Sequence, residues 1–291
     1  MSIFSSTDTN GASGLIAGLF VYPVKSCAGV ALQEAILTDA GLDLDRAWMV
    51  VDEQGAHVSQ RELPRLALVQ PQLKHYEVVL RAPGMLALHL QIEAVEQPVR
   101  VKIWDDTVSA FDMGDVAAQW FSDFLGARLR LVHFDPDHRR LSDLTWTGGI
   151  EATNQFNDGY PVLVIGEASL QGLNERLVAA GHGAVAMARF RPNIVLSGLE
   201  AHDEDRLEML HVAADPEILL KPVKPCPRCP IPNIDPATAL ASPEVGDALQ
   251  AYRRDDRLNG AISFGTTLIV AQGAEQTLRV GQAVGGPWRF G

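Results

Sequence analysis

The sequence predicts an α+β protein that is predominantly β and is built around small barrels or curled sheets. Two observations carry this prediction. Short segments with a strand-like pattern recur along the whole chain, and only two longer segments have helical spacing. Many short strands with few helices between them are typical of sheets that curl or close on themselves.

The strand predictions begin with residues 14–24, "GLIAGLFVYPV", an apolar run rich in β-formers and bounded by glycine and proline. In "LALHLQI", Leu86, Leu88 and Leu90 share one face, which predicts a half-buried strand. Similar short runs predict further strands at 98–104, 128–134, 160–166, 191–198, 266–273 and 276–284.

Two segments predict amphipathic helices, because their apolar residues recur every three to four positions. The first, "GDVAAQWFSDFLG", includes Val116 in its apolar stripe, has Asp115 as a possible N-cap and stops at Gly126. The second, "EASLQGLNERLVAAG", includes Val178 in its stripe and ends at Gly181.

A long polar segment divides the chain into two predicted domains. Residues 133–159 are rich in turn formers and show no periodicity, which is uncommon inside a compact domain. The predicted organisation is a disordered leader at 1–13, a β-rich N-terminal domain at 14–134, a connecting loop at 135–159 and a β-barrel domain at 160–291.

Charge and composition argue against several classes of partner. The net charge of −12 disfavours binding to nucleic acid or to an anionic membrane, both of which favour a basic surface. No stretch approaches the ~20 apolar residues that a membrane span needs. Three cysteines in 291 residues form no disulfide framework and suit a reducing compartment. We therefore expect a cytoplasmic enzyme with no nucleic-acid or membrane partner.

The segment "KPCPRCP" places Cys226 and Cys229 in a C-x-x-C spacing with Arg228 between them. A zinc site needs further ligands, and the third cysteine, Cys27, is far away in the sequence. A thioredoxin-like dithiol would open a helix, which the many prolines here prevent. Two interpretations stay open at this point: a single thiolate that binds a soft or higher-valent metal, favoured by the neighbouring arginine, or two small buried apolar residues.

Three further stretches place a cation beside a predicted strand. The polar residues that they contribute are Lys25 and Ser26 in "VYPVKSCAG", Arg46 in "LDRAWMVV", and Arg191 and Asn193 in "FRPNIVLSG". Together they are typical of groups gathered around a phosphate, because the forked donors of arginine match phosphate geometry. Each also has a purely structural explanation: a solvated lysine, an arginine paired with a neighbouring aspartate, and an asparagine that caps its own turn.

These stretches and "CPRCPIPNIDPATA", taken in their order along the chain, resemble the MOSC family with its N-terminal MOSC_N domain. This group includes the mitochondrial amidoxime-reducing component and bacterial N-hydroxylated-base reductases. The resemblance runs from about residue 14 to the C-terminus. It implies a β-rich MOSC_N domain that packs on a MOSC β-barrel with a few helices.

The resemblance also implies a molybdenum cofactor, a phosphorylated pterin dithiolene that holds the metal. Cys229 is then the metal ligand and Asp235 an acidic group close to the metal, acting in its outer shell or as a proton relay. The implied cofactor-binding residues are Lys25, Ser26, Arg46, Tyr160, Arg191, Asn193 and Arg228. Relatives often carry two hydroxyl residues where this chain has Gly159 and Tyr160, so only one side-chain hydroxyl is retained there.

The function that the resemblance implies is reduction of the N–O bond in small N-hydroxylated substrates. Electrons would come from a separate ferredoxin-, flavodoxin- or b-type-cytochrome-like protein, because the sequence shows no cysteine set for an iron–sulfur cluster. The alternative is a module that binds or carries molybdenum cofactor without turnover, as in cofactor sulfurases. Pyridoxal phosphate, which the sulfurases use in a preceding domain, is not expected here.

Overall fold

The computed structural model describes residues 11–94 and 96–289, and within them the chain is mostly β with few helices. This confirms the predicted fold class. The elements up to residue 134 are β1 (Gly11–Val21), β2 (Val30–Leu32), β3 (Glu34–Thr38), β4 (Gly41–Leu42), β5 (Trp48–Asp52), β6 (Gln70–Leu73), β7 (Glu77–Arg81), β8 (Leu88–Gln91), β9 (Gln97–Ile103), β10 (Asp106–Asp112), α1 (Gly114–Leu125) and β11 (Leu129–Phe134).

The later elements follow a long loop. They are α2 (Leu144–Thr147), β12 (Val162–Gly166), α3 (Glu167–Ala179), β13 (Ile194–Ser197), β14 (Leu210–Val212), β15 (Ile218–Pro227), α4 (Glu244–Tyr252), β16 (Arg254–Asp255), β17 (Ala261–Gln272), β18 (Thr277–Arg279) and β19 (Ala283–Pro287). Short 3-10 helices occupy Pro64–Leu68, Met187–Arg189, Asp203–Asp205, Ile231–Asn233 and Asp256–Leu258.

Seven strands close into a barrel in the order β12, β13, β1, β19, β14, β15 and β17, and β17 pairs back with β12. Closure leaves no exposed edge among these seven strands. The only parallel pair in the ring is β12 with β13. The interior of the barrel is filled by aliphatic side chains such as Ile16, Val164 and Leu268, which are fully buried.

Strand β1 belongs to this barrel although the rest of the ring comes from residues after 160. Leu19 pairs with Ile194 of β13, and Leu15 pairs with Ala283 of β19. Residues 11–13, which the sequence placed in a leader, are part of β1, and the remainder of that leader lies outside the described residues. The strand also ends at Val21, not at residue 24, because the chain turns away at Pro23.

The N-terminal part of the chain forms three smaller sheets. Strands β5, β11, β10 and β9 make one, and β6, β7 and β8 make another. The third joins β3 and β4 to β18 from the end of the chain, which ties the N-terminal part to the barrel. Helix α1 packs its buried aromatic residues Trp120, Phe121 and Phe124 into the core below the first two sheets.

Three details of the predicted helices are wrong. Met113 occupies the N-cap position of α1, so Asp115 lies inside the first turn and not at the cap. Val116 is 76% exposed, because it falls on the solvent side of the helix and not on the apolar stripe. In α3, Leu173 and Leu177 are buried but Val178 is exposed for the same reason.

The predicted connecting loop, residues 135–159, contains the short helix α2 and is folded back on itself by a bridge between Leu141 and Thr153. The domain boundaries themselves stay a prediction. Within the described residues, no helix is long and apolar enough to cross a membrane.

Candidate functional site

One cavity brings together eight of the nine predicted site residues. Its volume is about 190 Å³, and it lies where the chain leaves β1, enters β5, β12 and β13, and leaves β15. The eight residues are Lys25, Ser26, Arg46, Tyr160, Arg191, Asn193, Arg228 and Cys229. The site is therefore made of loops at the ends of strands, which a rigid barrel holds in place.

Three residues in the cavity wall have left-handed backbone conformations. The φ angles are 68° at Ser26, 54° at Arg46 and 59° at Arg191. Residues other than glycine rarely adopt this region, at a cost of order 1 kcal/mol or more each. The surrounding structure imposes these conformations, and such strain concentrates at functional sites.

The cavity is strongly positive although the protein as a whole is acidic. Its lining includes six cations and one carboxylate, and the cations are Lys25, Arg46, Arg61, Arg191, Lys224 and Arg228. Among the described residues, no carboxylate forms an ion pair with Arg191, Lys224 or Arg228. A cluster of positively charged donors that no carboxylate neutralises favours the binding of an anionic ligand.

Lys25 and Asp158 form an ion pair at the cavity wall. The Nζ of Lys25 donates to Asp158 Oδ1 at 2.5 Å and to the carbonyl of Phe156 at 2.8 Å. The lysine side chain is buried, whereas that of Asp158 is 67% exposed. Partial desolvation works to raise the pKa of Asp158, but the attraction of Lys25 outweighs it and holds that pKa well below its usual range. The carboxylate is therefore charged at neutral pH.

Arg46 is fixed by three neighbours. Its guanidinium forms an ion pair with the buried carboxylate of Asp45. It also donates to the side-chain oxygen of Asn193 at 3.1 Å and to the carbonyl of Arg191 at 3.1 Å. Arg46 thus pairs with a neighbouring aspartate, as the structural explanation states, and it also lines the cavity.

Asn193 connects the cavity to the barrel and does not cap its own turn. Its side-chain oxygen accepts the backbone N–H of Leu163 at 3.1 Å, and its amide nitrogen donates to the carbonyl of Phe20 at 3.2 Å. The residue is almost fully buried. It joins β12, β13 and β1 at the point where they meet the site.

The two cysteines of the C-x-x-C segment differ in their surroundings. Cys226 packs against the apolar cluster under α3 and α4, and its Sγ accepts a hydrogen bond from Arg228 at 3.1 Å. Burial raises the pKa of the Cys226 thiol, against the effect of Arg228. Among the described residues, the Sγ of Cys229 has no hydrogen-bond partner. Arg228 thus makes its sulfur contact with Cys226, and its support of a Cys229 thiolate stays a prediction.

Asp235 is the predicted site residue that the structure does not bring to the cavity. Its carboxylate pairs with Arg189 at 3.3 Å and accepts the backbone N–H of Ala237 at 2.8 Å. These contacts stabilise the turn that follows Cys229. Its predicted role beside a metal stays a prediction, and the carboxylate that lines the cavity is that of Asp158.

The sequence analysis missed several polar residues of the cavity wall, which are Ser59, Arg61, Asn157, Asp158, Lys224 and Thr267. Arg61 and Lys224 lie close to the motifs that were singled out, so a count of cations around each motif would have found them. Asp158 stands two positions before Tyr160, and no short motif in this stretch indicates a carboxylate at the site.

The segment that presents Asp158 is held by Arg140, which is 6% exposed. One nitrogen of its guanidinium donates at 2.7 Å to each of three acceptors: the side-chain oxygen of Asn154 and the carbonyls of Gln155 and Asn157. A second nitrogen donates to Asp106 at 2.8 Å. Arg140 thus fixes a loop that has no regular secondary structure of its own.

Two buried polar atoms of residues in the cavity wall have no hydrogen-bond partner among the described residues. They are the hydroxyl of Tyr160 and the Nε of Arg228. Buried polar groups in native proteins are nearly always paired, so these atoms fit a site that a polar ligand completes. Positive donors, unpaired polar atoms and a free thiol together suit an anionic, metal-bearing group.

A larger groove, about 870 Å³, lies between β1 and α3, but its lining is mostly apolar and includes no lysine, arginine or cysteine. It does not contain the chemistry that the smaller cavity has. The smaller cavity is therefore the candidate functional site. The fold and this cavity define a β-barrel protein with a positively charged cavity that suits an anionic ligand and that contains a free thiol.

Comparison with known proteins agrees with this class. Residues 13–128 match the model of the MOSC N-terminal beta barrel domain, and residues 151–285 match that of the MOSC domain. The mouse mitochondrial amidoxime-reducing component 1 is 34% identical over 285 residues, which cover 93% of this chain and 82% of that protein. The human component 1 is 34% identical over 84% of this chain and 73% of its own length. This chain belongs to the MOSC family.

A more distant relative is the bovine molybdenum cofactor sulfurase. It is 27% identical over 88% of this chain, but the match covers only 30% of the sulfurase. The chain thus resembles one part of that longer protein.

Proposed function

We propose that this protein binds a molybdenum cofactor and reduces N-hydroxylated substrates at the nitrogen–oxygen bond. The observation that carries the proposal is the single cavity in which six cations and the carboxylate of Asp158 accompany Cys229. The relatives named as amidoxime-reducing components support the reaction class, because an amidoxime is an N-hydroxylated amidine.

The residues divide by the part of the cofactor that they suit. Arg46, Arg191 and Lys25 offer charged donors for the phosphate of the pterin. Cys229 offers a thiolate, the ligand type that molybdenum takes in this proposal. The remaining residues assigned to the pterin are Ser26, Tyr160, Asn193 and Arg228. A bound molybdenum cofactor would supply the redox change in which two electrons and two protons convert an N–OH group into N–H and water.

Asp158 is the group of this chain that we assign to the substrate. Its Oδ1 accepts hydrogen bonds from Lys25 Nζ and from the indole N–H of Trp104, the latter at 3.2 Å. Its Oδ2 has no such partner among the described residues, which leaves it available to a ligand. A carboxylate held in the charged form can accept an N–H or O–H hydrogen from an N-hydroxylated amidine and hold it in one orientation.

A separate redox protein of the ferredoxin, flavodoxin or b-type cytochrome kind is proposed as the electron donor, in the cytoplasm. The second candidate function is a module that binds or carries the cofactor without turnover. The observation that favours it is the match to a portion of the molybdenum cofactor sulfurase. The two functions share the cavity and differ only in turnover.

The test is turnover by protein purified from a host that makes the cofactor. A reduced viologen dye serves as the electron source and an N-hydroxylated amidine as the substrate. We expect substrate-dependent dye oxidation that Cys229→Ala abolishes and Asp158→Asn lowers at least tenfold. Bound molybdenum with no turnover under these conditions would favour the carrier function, and absence of both would contradict the proposal.

A further inference from the structure

Tyr22 lies behind the cavity wall, beneath the two arginines that the first and second halves of the chain contribute. Its ring centroid is 4.4 Å from the Cζ of Arg46 and 4.2 Å from the Cζ of Arg191. The residue is 2% exposed and is not part of the cavity lining itself. Both arginines are part of the cavity lining.

Two guanidiniums this close to one ring repel each other unless something compensates. Asp45 neutralises Arg46, but no carboxylate among the described residues pairs with Arg191. Burial and then the neighbouring Arg46 lower the pKa of Arg191 to about 10. The electron-rich face of an aromatic ring attracts a cation, and this attraction is stronger where water is excluded. Tyr22 therefore offsets part of the repulsion.

The ring is itself held in position. The backbone N–H of Tyr22 donates to Asp45 Oδ1 at 2.8 Å, and the backbone N–H of Arg46 donates to the carbonyl of Tyr22 at 2.9 Å. A Cβ at Gly29 would lie 2.5 Å from the ring, so only glycine leaves the space that the ring occupies there. The backbone of Arg46 and the ring below its guanidinium are thus coupled.

We propose that Tyr22 is a positioning residue, whose ring holds the guanidiniums of Arg46 and Arg191 in the arrangement that binds a phosphate group. The two cations are then oriented before the anion arrives, which reduces the ordering cost of binding. The inference rests on the proposed function for the identity of the phosphate, which would be that of the pterin. The two arginines and the ring define an anion site, whichever molecule carries the phosphate group.

The test uses the full chain made in a host that cannot synthesise the pterin, and inorganic phosphate as the probe. Phosphorus NMR titration measures the dissociation constant for the native protein, Tyr22→Phe, Tyr22→Leu and, as a matched loss of one cation, Arg191→Gln. Thermal melting of each variant confirms that it is folded at the titration temperature. We expect the dissociation constant of Tyr22→Phe for phosphate to stay within twofold of the native value. Tyr22→Leu, which loses the cation–π contacts, and Arg191→Gln, which loses one cation, are each expected to bind phosphate about tenfold more weakly.

The inference would be overturned if the folded Tyr22→Leu variant bound phosphate as tightly as the native protein. It would also be overturned if Tyr22→Phe and Tyr22→Leu lost the same amount of phosphate affinity. Native protein that fails to bind phosphate would also overturn it. The molybdenum content of native protein from a cofactor-producing host is measured separately. Phosphate binding with the expected variant order but no molybdenum would contradict the proposed function and leave the role of Tyr22 supported.

Discussion

Replacement of Glu204 by glutamine is expected to stabilise this protein above neutral pH. Glu204 is fully buried beside the start of α3, outside the cavity. One carboxylate oxygen accepts the hydroxyl of Ser169 at 2.8 Å, and the other has no partner among the described residues. Burial, and then the nearby charge of Asp205, raise the pKa of Glu204 to about 7 from the ordinary value of 4.5.

The direction of the pH effect follows from this shift. Because the pKa is higher in the folded state than in the unfolded chain, the folded state binds the proton more tightly. The stability associated with neutral Glu204 is complete below pH 4.5 and is lost as the pH rises through about 7. At ~1.4 kcal/mol per pKa unit, the loss is roughly 3 kcal/mol.

Glutamine has nearly the same shape and stays neutral, so Glu204→Gln should avoid this loss. Thermal melting between pH 5 and 8.5 measures it, and a gain of roughly 5–10 °C is expected at the alkaline end for a protein of this size. The control is Glu200→Gln, which changes an exposed carboxylate on the adjacent loop. A glutamine variant that melts below the native protein at pH 8, or with the same pH dependence, would refute the reasoning.

Two further predictions concern residues that hold the site. Arg140→Met removes the three hydrogen bonds that fix the segment before Asp158, so we expect faster amide hydrogen exchange at 153–159. We also expect the free energy of unfolding to fall by about 3 kcal/mol, because about 1 kcal/mol accompanies each of these lost bonds. Unchanged exchange at 153–159 would contradict this role, and Arg139→Met, at an exposed position, is the control. Asn193→Ala removes the side-chain hydrogen bonds to Leu163 on β12, to Phe20 on β1 and to the guanidinium of Arg46. It is expected to lower the free energy of unfolding, measured by urea denaturation, by about 2–4 kcal/mol. A loss below about 0.5 kcal/mol would show that these hydrogen bonds contribute little.

The fold class could be predicted because strand patterns are local. The alternation in "LALHLQI" places Leu88 and Leu90 in the core, as the structure has them, whereas Leu86 is exposed. The position of β1 inside the later barrel could not be predicted, because pairing of Leu19 with Ile194 depends on contacts far apart in the sequence. The same limit applied to Val116, where the buried side of a helix is set by what packs on it.

The candidate site was predictable where a motif carries its own chemistry. Lys25, Arg46 and Cys229 stood out as charged or reactive residues at the ends of strands, and the structure brings them to one cavity. Asp158 and Tyr22 could not be identified in this way. The position of Asp158 depends on Arg140, and that of Tyr22 matters because two arginines from distant segments meet over its ring. No short sequence pattern indicates either arrangement.

The central claim is that Cys229, and not its neighbour Cys226, is the thiolate for the metal. X-ray absorption at the molybdenum edge counts sulfur ligands directly in protein from a cofactor-producing host. The account predicts that Cys226→Ser keeps the sulfur count of the native protein, whereas Cys229→Ser loses one sulfur ligand while it retains the fold. An unchanged count in Cys229→Ser, or the same loss in both variants, would contradict it.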